Sequence, residues 1–165
     1  MHVFYTPDIA VSCELPEEEA GHCLRVLRLT VGDEVMLTDG KGNFYKAVIS
    51  AATNKRCQVK VTETIPQEKG WSGWLHVAMA PTKNMDRTEW FAEKATEIGF
   101  DELTFLNSRY SERKVIKTER IEKILVSAVK QSLKASKPIL NEMIDFNKFI
   151  ERDFKGQKFI CHCNE

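Results

Sequence analysis

No stretch of this 165-residue chain approaches the ~20 consecutive apolar residues that would cross a bilayer. The first residues, Met1-His2-Val3-Phe4-Tyr5-Thr6-Pro7-Asp8, lack the basic and apolar regions of a secretory signal. Both absences point to a cytoplasmic protein with no membrane partner. Net charge is missing as well: 24 basic side chains balance 24 acidic ones, so bulk charge argues for no class of partner. Glycine is scarce, and no glycine-rich loop opens a helix. Asp39-Gly40-Lys41-Gly42-Asn43 is a hairpin turn rather than a phosphate loop, because no helix follows it. The five cysteines, at 13, 23, 57, 161 and 163, are odd in number and scattered, which excludes a disulfide framework and suits a reducing compartment. Cys161-His162-Cys163 has no second ligand pair at zinc-finger spacing, and neither has His22-Cys23, so no metal is expected.

What remains is a composition that folds: 42% hydrophobic and 29% charged residues, enough chain for a real core in one domain or two small ones. The first 70 residues read as a β-rich domain carrying one helix. Ala10–Leu15 is expected as a short strand. Pro16 suits a first helical position, and Glu17-Glu18-Glu19 complement the helix dipole. Ala20, Cys23, Leu24 and Leu27 form the apolar stripe, leaving His22, Arg25 and Arg28 off the core face. Strands at 34–38, 44–52 and 57–65, joined by short turns, predict a meander closing into a small barrel. Pro66-Gln67-Glu68-Lys69-Gly70 is a linker, dividing the chain into domains at 1–68 and 72–165.

Beyond the linker the pattern changes. Trp74–Ala80 is a nearly continuous apolar strand, followed by helix, strand (102–107), helix (118–136), strand (139–144), a short helix (146–154) and a last strand at 158–163. This alternation predicts a parallel α/β sheet. In the first helix Asp86 is the expected cap with Glu89 reaching back to it, Phe91, Ala95 and Ile98 the expected apolar face, and Gly99 the stop. Trp90, beside Phe91, is expected in the core, whereas Trp71 and Trp74 could stack on a base. Charge is uneven here. Arg109, Arg113, Lys114, Lys117, Arg120, Lys123, Lys130, Lys134 and Lys137 face only Glu112, Glu119 and Glu122, an excess that forms either a phosphate footprint or a solvated helix face.

Several phrases carry a family resemblance. Asp86-Arg87-Thr88-Glu89-Trp90, Lys94-Ala95-Thr96-Glu97-Ile98-Gly99, Ser111-Glu112-Arg113, Lys117 and Gln131-Ser132 occur in the second half; His22-Cys23-Leu24-Arg25-Val26-Leu27-Arg28, Gly32-Asp33 and Asp39-Gly40-Lys41-Gly42 occur in the first. In order and spacing they resemble the RsmE family of ribosomal RNA methyltransferases. The resemblance implies a PUA-like β-barrel that binds RNA, followed by an α/β methyltransferase domain of the SPOUT type. It implies S-adenosylmethionine as cofactor, N3 of a uridine in small-subunit (16S) ribosomal RNA as target, the ribosomal RNA as partner, and a homodimer. On the matching positions Arg25, Arg28, Lys83, Arg113 and Lys117 become candidate RNA contacts, with Arg113 and Lys117 also candidates for the catalytic surroundings of the base. An ion pair of Arg113 with Glu97 or Glu112, and a solvated face for Arg25 and Arg28, are the plain alternatives.

The resemblance departs at three places: Lys83-Asn84-Met85-Asp86 is one residue longer than the common phrase, His2-Val3 replaces an arginine, and the chain stops at Glu165 before the family's knot-forming motifs. The cofactor-binding residues are therefore expected beyond Glu165, and an RNA-binding module without catalysis stands as the alternative function. A small-molecule α/β enzyme would need a glycine-rich loop where Lys83-Asn84-Met85-Asp86-Arg87 stands.

Overall fold

The computed structural model describes residues 2–161. In the first half, β1 (Val3–Tyr5), β2 (Glu34–Thr38), β3 (Asn43–Ala52) and β4 (Cys57–Pro66) form one sheet in the order β1-β2-β3-β4. β1 runs parallel to β2, and the remaining pairs are antiparallel. Alternation decides the faces: Val35 and Leu37 are buried while Glu34 is exposed, and Tyr45, Ala47 and Ile49 are buried while Lys46 and Ser50 are exposed. These residues enclose a core with Phe4, Ala20, Cys23, Cys57 and Val59. The expected strand at 10–15 is not there. Residues 7–11 turn, and only Glu14 bridges to Gln58, covering the outer edge of β4. Burial pushes the Cys23 thiol up to about 12, so it stays a protonated thiol inside this core.

Helix α1 (Glu17–Gly21) runs directly into a π-helical turn, His22–Val26, which leaves Cys23 buried and Arg25 and Arg28 exposed, as the apolar stripe predicts. Arg28 then adopts φ +57°, a left-handed conformation that costs a non-glycine residue roughly 1 kcal/mol.

The second half holds a parallel sheet in the order β5-β6-β7, from β5 (His76–Met79), β6 (Glu102–Asn107) and β7 (Ile139–Asp145). Helices α2 (Met85–Ile98) and α3 (Thr118–Gln131) pack against one face, burying Ala92, Phe100, Leu103, Phe105, Ile121 and Leu125. A bulge in the β6–β7 register lets Leu140 and Met143, three residues apart, join that core while Glu142 stays exposed. The opposite face is polar and internally satisfied. The Thr104 hydroxyl lies 2.8 Å from His76 Nε2 and accepts from the Asn141 amide at 2.9 Å, and Asn141 also donates to Glu102 at 2.7 Å. Burial lowers the His76 pKa, against the pull of Glu102.

Four details of the second half differ from expectation. The cap of α2 is Asn84, whose side chain accepts from the Asp86 N–H at 3.0 Å; Glu89 instead pairs with Arg120. The buried line of α2 is Thr88, Ala92 and Thr96, whereas Ile98 is 70% exposed and Trp90 63% exposed. Threonines occupy that line because their hydroxyls are satisfied locally, Thr96 donating to the Ala92 carbonyl at 2.7 Å and Thr88 serving Thr82. Helices α3 and α4 (Phe146–Ile150) are shorter than expected, and residues 158–161 form no strand; His162 and Cys163 lie outside the described residues. Gly99 does end α2, with φ +112°.

The halves are clasped through backbone. The Gly42 N–H donates to the Ala135 carbonyl at 3.0 Å, and the Lys137 N–H donates to the Gly40 carbonyl at 2.8 Å. Gln67 closes the clasp, accepting from the Ala135 N–H at 2.6 Å and donating to the Leu133 carbonyl at 3.1 Å. Gly40 permits this approach: at φ +71° a Cβ there would stand 2.7 Å from the Tyr5 ring and 3.2 Å from Lys137 Cβ. Asp39 organises the turn, accepting from the backbone N–H groups of Lys41 and Asn43, the Asn43 amide and the Tyr45 hydroxyl. Burial alone would raise the Asp39 pKa, but these donors outweigh it and hold the carboxyl below its usual range.

Among the described residues no helix is long and apolar enough to cross a membrane, and no group of three or more His, Cys, Asp or Glu could hold a metal.

Candidate nucleic-acid interface

The two loops leaving the carboxyl ends of β5 and β6 bring Lys83 and Arg113 together. In open parallel sheets this edge is where ligands bind. Arg113 Nε donates to the Lys83 carbonyl at 2.9 Å, and the Lys83 ammonium stands 3.6 Å from the Glu112 carboxylate. The expected ion pairs of Arg113 with Glu97 or Glu112 are therefore not made: Glu97 binds Lys94 and Glu112 faces Lys83. Anchoring through Nε orients the guanidinium and leaves its two Nη groups without a protein partner among the described residues. Ser111 holds the loop's shape, lying within 3.4 Å of the Ser108 and Arg113 carbonyls and accepting from the Ser108 N–H. Lys117, at the start of α3, is exposed.

Eight of the nine cations in the basic run fall into two sets, and Lys134, just beyond α3, has no carboxylate partner among the described residues. On α3 and just beyond it, Arg120 grips Glu89 at 2.6 Å, Lys123 faces Glu18 at 3.5 Å, Lys130 binds Glu19 at 2.6 Å and Lys137 binds Glu122 at 2.7 Å. Two of these acids come from α1, so part of the excess is spent on holding the first domain. Arg109, Arg113, Lys114 and Lys117, in the loop from β6 to α3, have no carboxylate partner among the described residues. Lys114 instead donates to the Ser108 carbonyl at 2.9 Å. Next to them lies a hollow of about 600 Å³ at the ends of β6 and β7, whose wall includes Arg109, Lys114, Phe146 and Lys148.

Arg25 and Arg28 stand exposed on the first half of the chain. Trp74 is engaged at the opposite, amino-terminal edge of the sheet. Its indole N–H donates to Glu102 at 2.9 Å, and the Lys69 ammonium sits 4.8 Å from its ring. Arg109, Lys114 and Lys148 were not singled out as site residues by the sequence, although two of them belong to the basic run around Ser111-Glu112-Arg113.

The arrangement is a four-stranded sheet clasped to a parallel α/β unit, with cations that lack carboxylate partners among the described residues gathered in the loop between β6 and α3. The family described as RNA methyltransferase domain matches residues 69–165, and the RNA methyltransferase PUA domain matches residues 15–62. The chain belongs to the RNA methyltransferase family, in its RsmE line. It is 25% identical over 153 residues to the ribosomal RNA small subunit methyltransferase E of Rickettsia conorii, covering 92% of this chain and 61% of that protein. A probable rRNA-methyltransferase from Porphyromonas gingivalis superposes with a TM-score of 0.84 at 49% identity, over 91% of this chain and 63% of that one. The fold also matches the ribosomal RNA small subunit methyltransferase E of Neisseria gonorrhoeae bound to S-adenosylmethionine, with a TM-score of 0.74 at 22% identity, over 93% of this chain and 65% of that one. The chain thus spans less than two thirds of the length of each of these relatives.

Neither the hollow nor the cleft at the linker fits the methyl donor. The hollow has Phe146 as its one aromatic wall residue among cations, amides and a carboxylate, and the cleft at the linker (about 200 Å³) is lined largely by polar and charged groups beside Trp71 and Ile98. Neither offers an adenine ring the enclosed apolar walls usual for small-molecule sites.

Proposed function

We propose that this chain serves in the methylation of small-subunit ribosomal RNA, at N3 of a uridine, as the part that holds the RNA. The reading is carried by the basic run: cations on α3 are neutralised, whereas Arg109, Arg113, Lys114 and Lys117 in the loop from β6 to α3 have no carboxylate partner among the described residues. Phosphates are the natural counter-charge for such an edge. The PUA-like domain, with Arg25 and Arg28 exposed, extends the surface, and the domains are taken as residues 1–68 and 72–165.

In this reading S-adenosylmethionine supplies the electrophilic methyl, as its presence in the Neisseria relative suggests, and its pocket lies in the part of the relatives that this chain does not match. Lys83, Arg113 and Lys117 are given the task of holding the RNA around the target base. N3 of uridine must lose its proton before it can be methylated, which places negative charge on the neighbouring carbonyl oxygens. The free Nη groups of Arg113 suit the stabilisation of that charge, and Lys117 adds a second positive field. Cytoplasmic location and a homodimeric assembly belong to the same proposal.

In the full-length enzyme, Arg113→Ala should lower the single-turnover methylation rate by about 100-fold, the usual effect of removing one charge-stabilising donor, with little change in RNA affinity. A lowered melting temperature with an intact rate would make Arg113 a scaffold residue tied to the Lys83 carbonyl. The second reading, an RNA-binding module without catalysis, is favoured by the poor fit to the donor. Titration of this chain with S-adenosylmethionine should give no saturable heat; saturable heat would put the donor pocket within these 165 residues.

A further inference from the structure

Beside the hollow at the ends of β6 and β7 stands Tyr110, 85% exposed, with the Arg109 guanidinium 5.4 Å from its ring centroid. A tyrosine set this far into water contributes nothing to the core. Arg109 lies on both sides of the matter, lining the hollow and standing over the ring. The hollow is open to solvent and holds about 600 Å³. Its one acid, Asp145, is occupied by the Asn107 amide at 3.0 Å. Lys114 is braced by the Ser108 carbonyl, and neither it, Arg109 nor Lys148 has a carboxylate partner among the described residues.

We propose that Tyr110 and this hollow form a subsite for one unstacked nucleotide of single-stranded RNA: the base stacks on Tyr110, and the adjoining phosphates lie on Arg109, Lys114 and Lys148. The proposal deepens the RNA-holding reading above and rests on it. Each requirement of an extruded nucleotide is met by a group already in place. Every base has a π-face, so an exposed ring carrying a guanidinium is a sequence-tolerant platform. Phosphates need cations that no carboxylate neutralises, and three surround the hollow. The Ser108 hydroxyl and the Asn147 amide line the same wall and can meet a base edge. A duplex keeps its bases stacked on each other and cannot use the ring.

The test uses this chain with an RNA octamer carrying one 2-aminopurine, either single-stranded or annealed to its complement. Stacking quenches the fluorescence of 2-aminopurine. The single strand should bind with quenching and the duplex without it. Tyr110→Leu should weaken single-strand binding about tenfold and abolish the quenching, whereas Tyr110→Phe should keep both. Lys148→Gln should lower the salt slope by about 0.7 and leave the quenching intact. Exposure of Tyr110 predicts unchanged melting temperatures for its variants, which separates loss of contact from loss of fold. If the parent chain binds RNA and Tyr110→Leu binds and quenches equally, the subsite is wrong while the RNA-holding reading survives. If the parent chain binds no RNA at low salt, that broader reading falls as well.

Discussion

The loop between β6 and α3 and the body of α3 are neighbours in sequence and both carry a net positive charge, yet their cations meet opposite fates. Along α3, Arg120, Lys123 and Lys130 are each matched by a glutamate, two of them from the first domain. In the loop, Arg109, Arg113, Lys114 and Lys117 find only backbone, an aromatic ring or water. A charge run therefore has no single meaning. Where tertiary structure supplies a carboxylate, the run holds domains together; where it does not, the run is left to bind something else.

The sharpest way to break this comparison is to neutralise the loop. Replacing Arg109, Arg113, Lys114 and Lys117 together by glutamine should weaken binding of a small-subunit ribosomal RNA fragment by about 100-fold or more and lower its salt slope by about three units. Stability should move by less than about 0.5 kcal/mol for each exposed site. Unchanged affinity in a filter-binding titration would show that these charges are merely solvated.

The paired set should respond the other way. Lys130→Ala leaves Glu19, itself only 8% exposed, without the 2.6 Å partner of its Oε1, while its Oε2 is already buried without one. Urea unfolding should show a loss of about 2 kcal/mol, with RNA binding unchanged. Lys130→Met combined with Glu19→Leu should recover most of that loss, because the stranded charge is gone. A smaller loss for Lys130→Ala than for the double variant would contradict the clamping role of α3.

The smallest effect concerns the clasp. The Asp39 carboxyl is held below its unfolded value, so the folded state binds the proton less readily than the unfolded one. Its contribution is thus present above the unfolded carboxylate pKa of about 3.9 and is lost as pH falls through the lower folded value. Asp39→Asn should cost about 1 kcal/mol at neutral pH and flatten the fall in stability below about pH 4. An unchanged acid limb in denaturant titrations from pH 7 to 3 would remove Asp39 from the clasp.

Much of the architecture was legible because it depends on local period. Val35 and Leu37 alternate, Ile121, Leu125, Ala128 and Val129 recur at helical spacing, and the strands from β2 to β4 fall where the turns allow. Gly99 ends α2 because a left-handed terminus asks for glycine. Periodicity failed where burial was decided by a bond rather than by hydropathy. Thr88 and Thr96 are buried in place of Ile98 because neighbouring backbone and hydroxyl groups satisfy their side chains. Trp90 was misplaced for the same reason: the helix turned its threonine line inward and left the indole in water. Of the candidate site, Lys83, Arg113 and Lys117 were named from their motifs, but neither the anchor of Arg113 on the Lys83 carbonyl nor the place of Lys148 could be read from spacing.

The sequence by itself determined a β-rich first half, a parallel α/β second half and an uneven distribution of charge, since short-range alternation and composition suffice for each. Only the tertiary structure decided which positive charges remain free. That outcome depends on carboxylates arriving from distant segments: Glu18 and Glu19 reach α3 from more than 100 residues away. Coulombic pairing acts over a few ångströms of space, and sequence distance carries no information about which acid will close that gap.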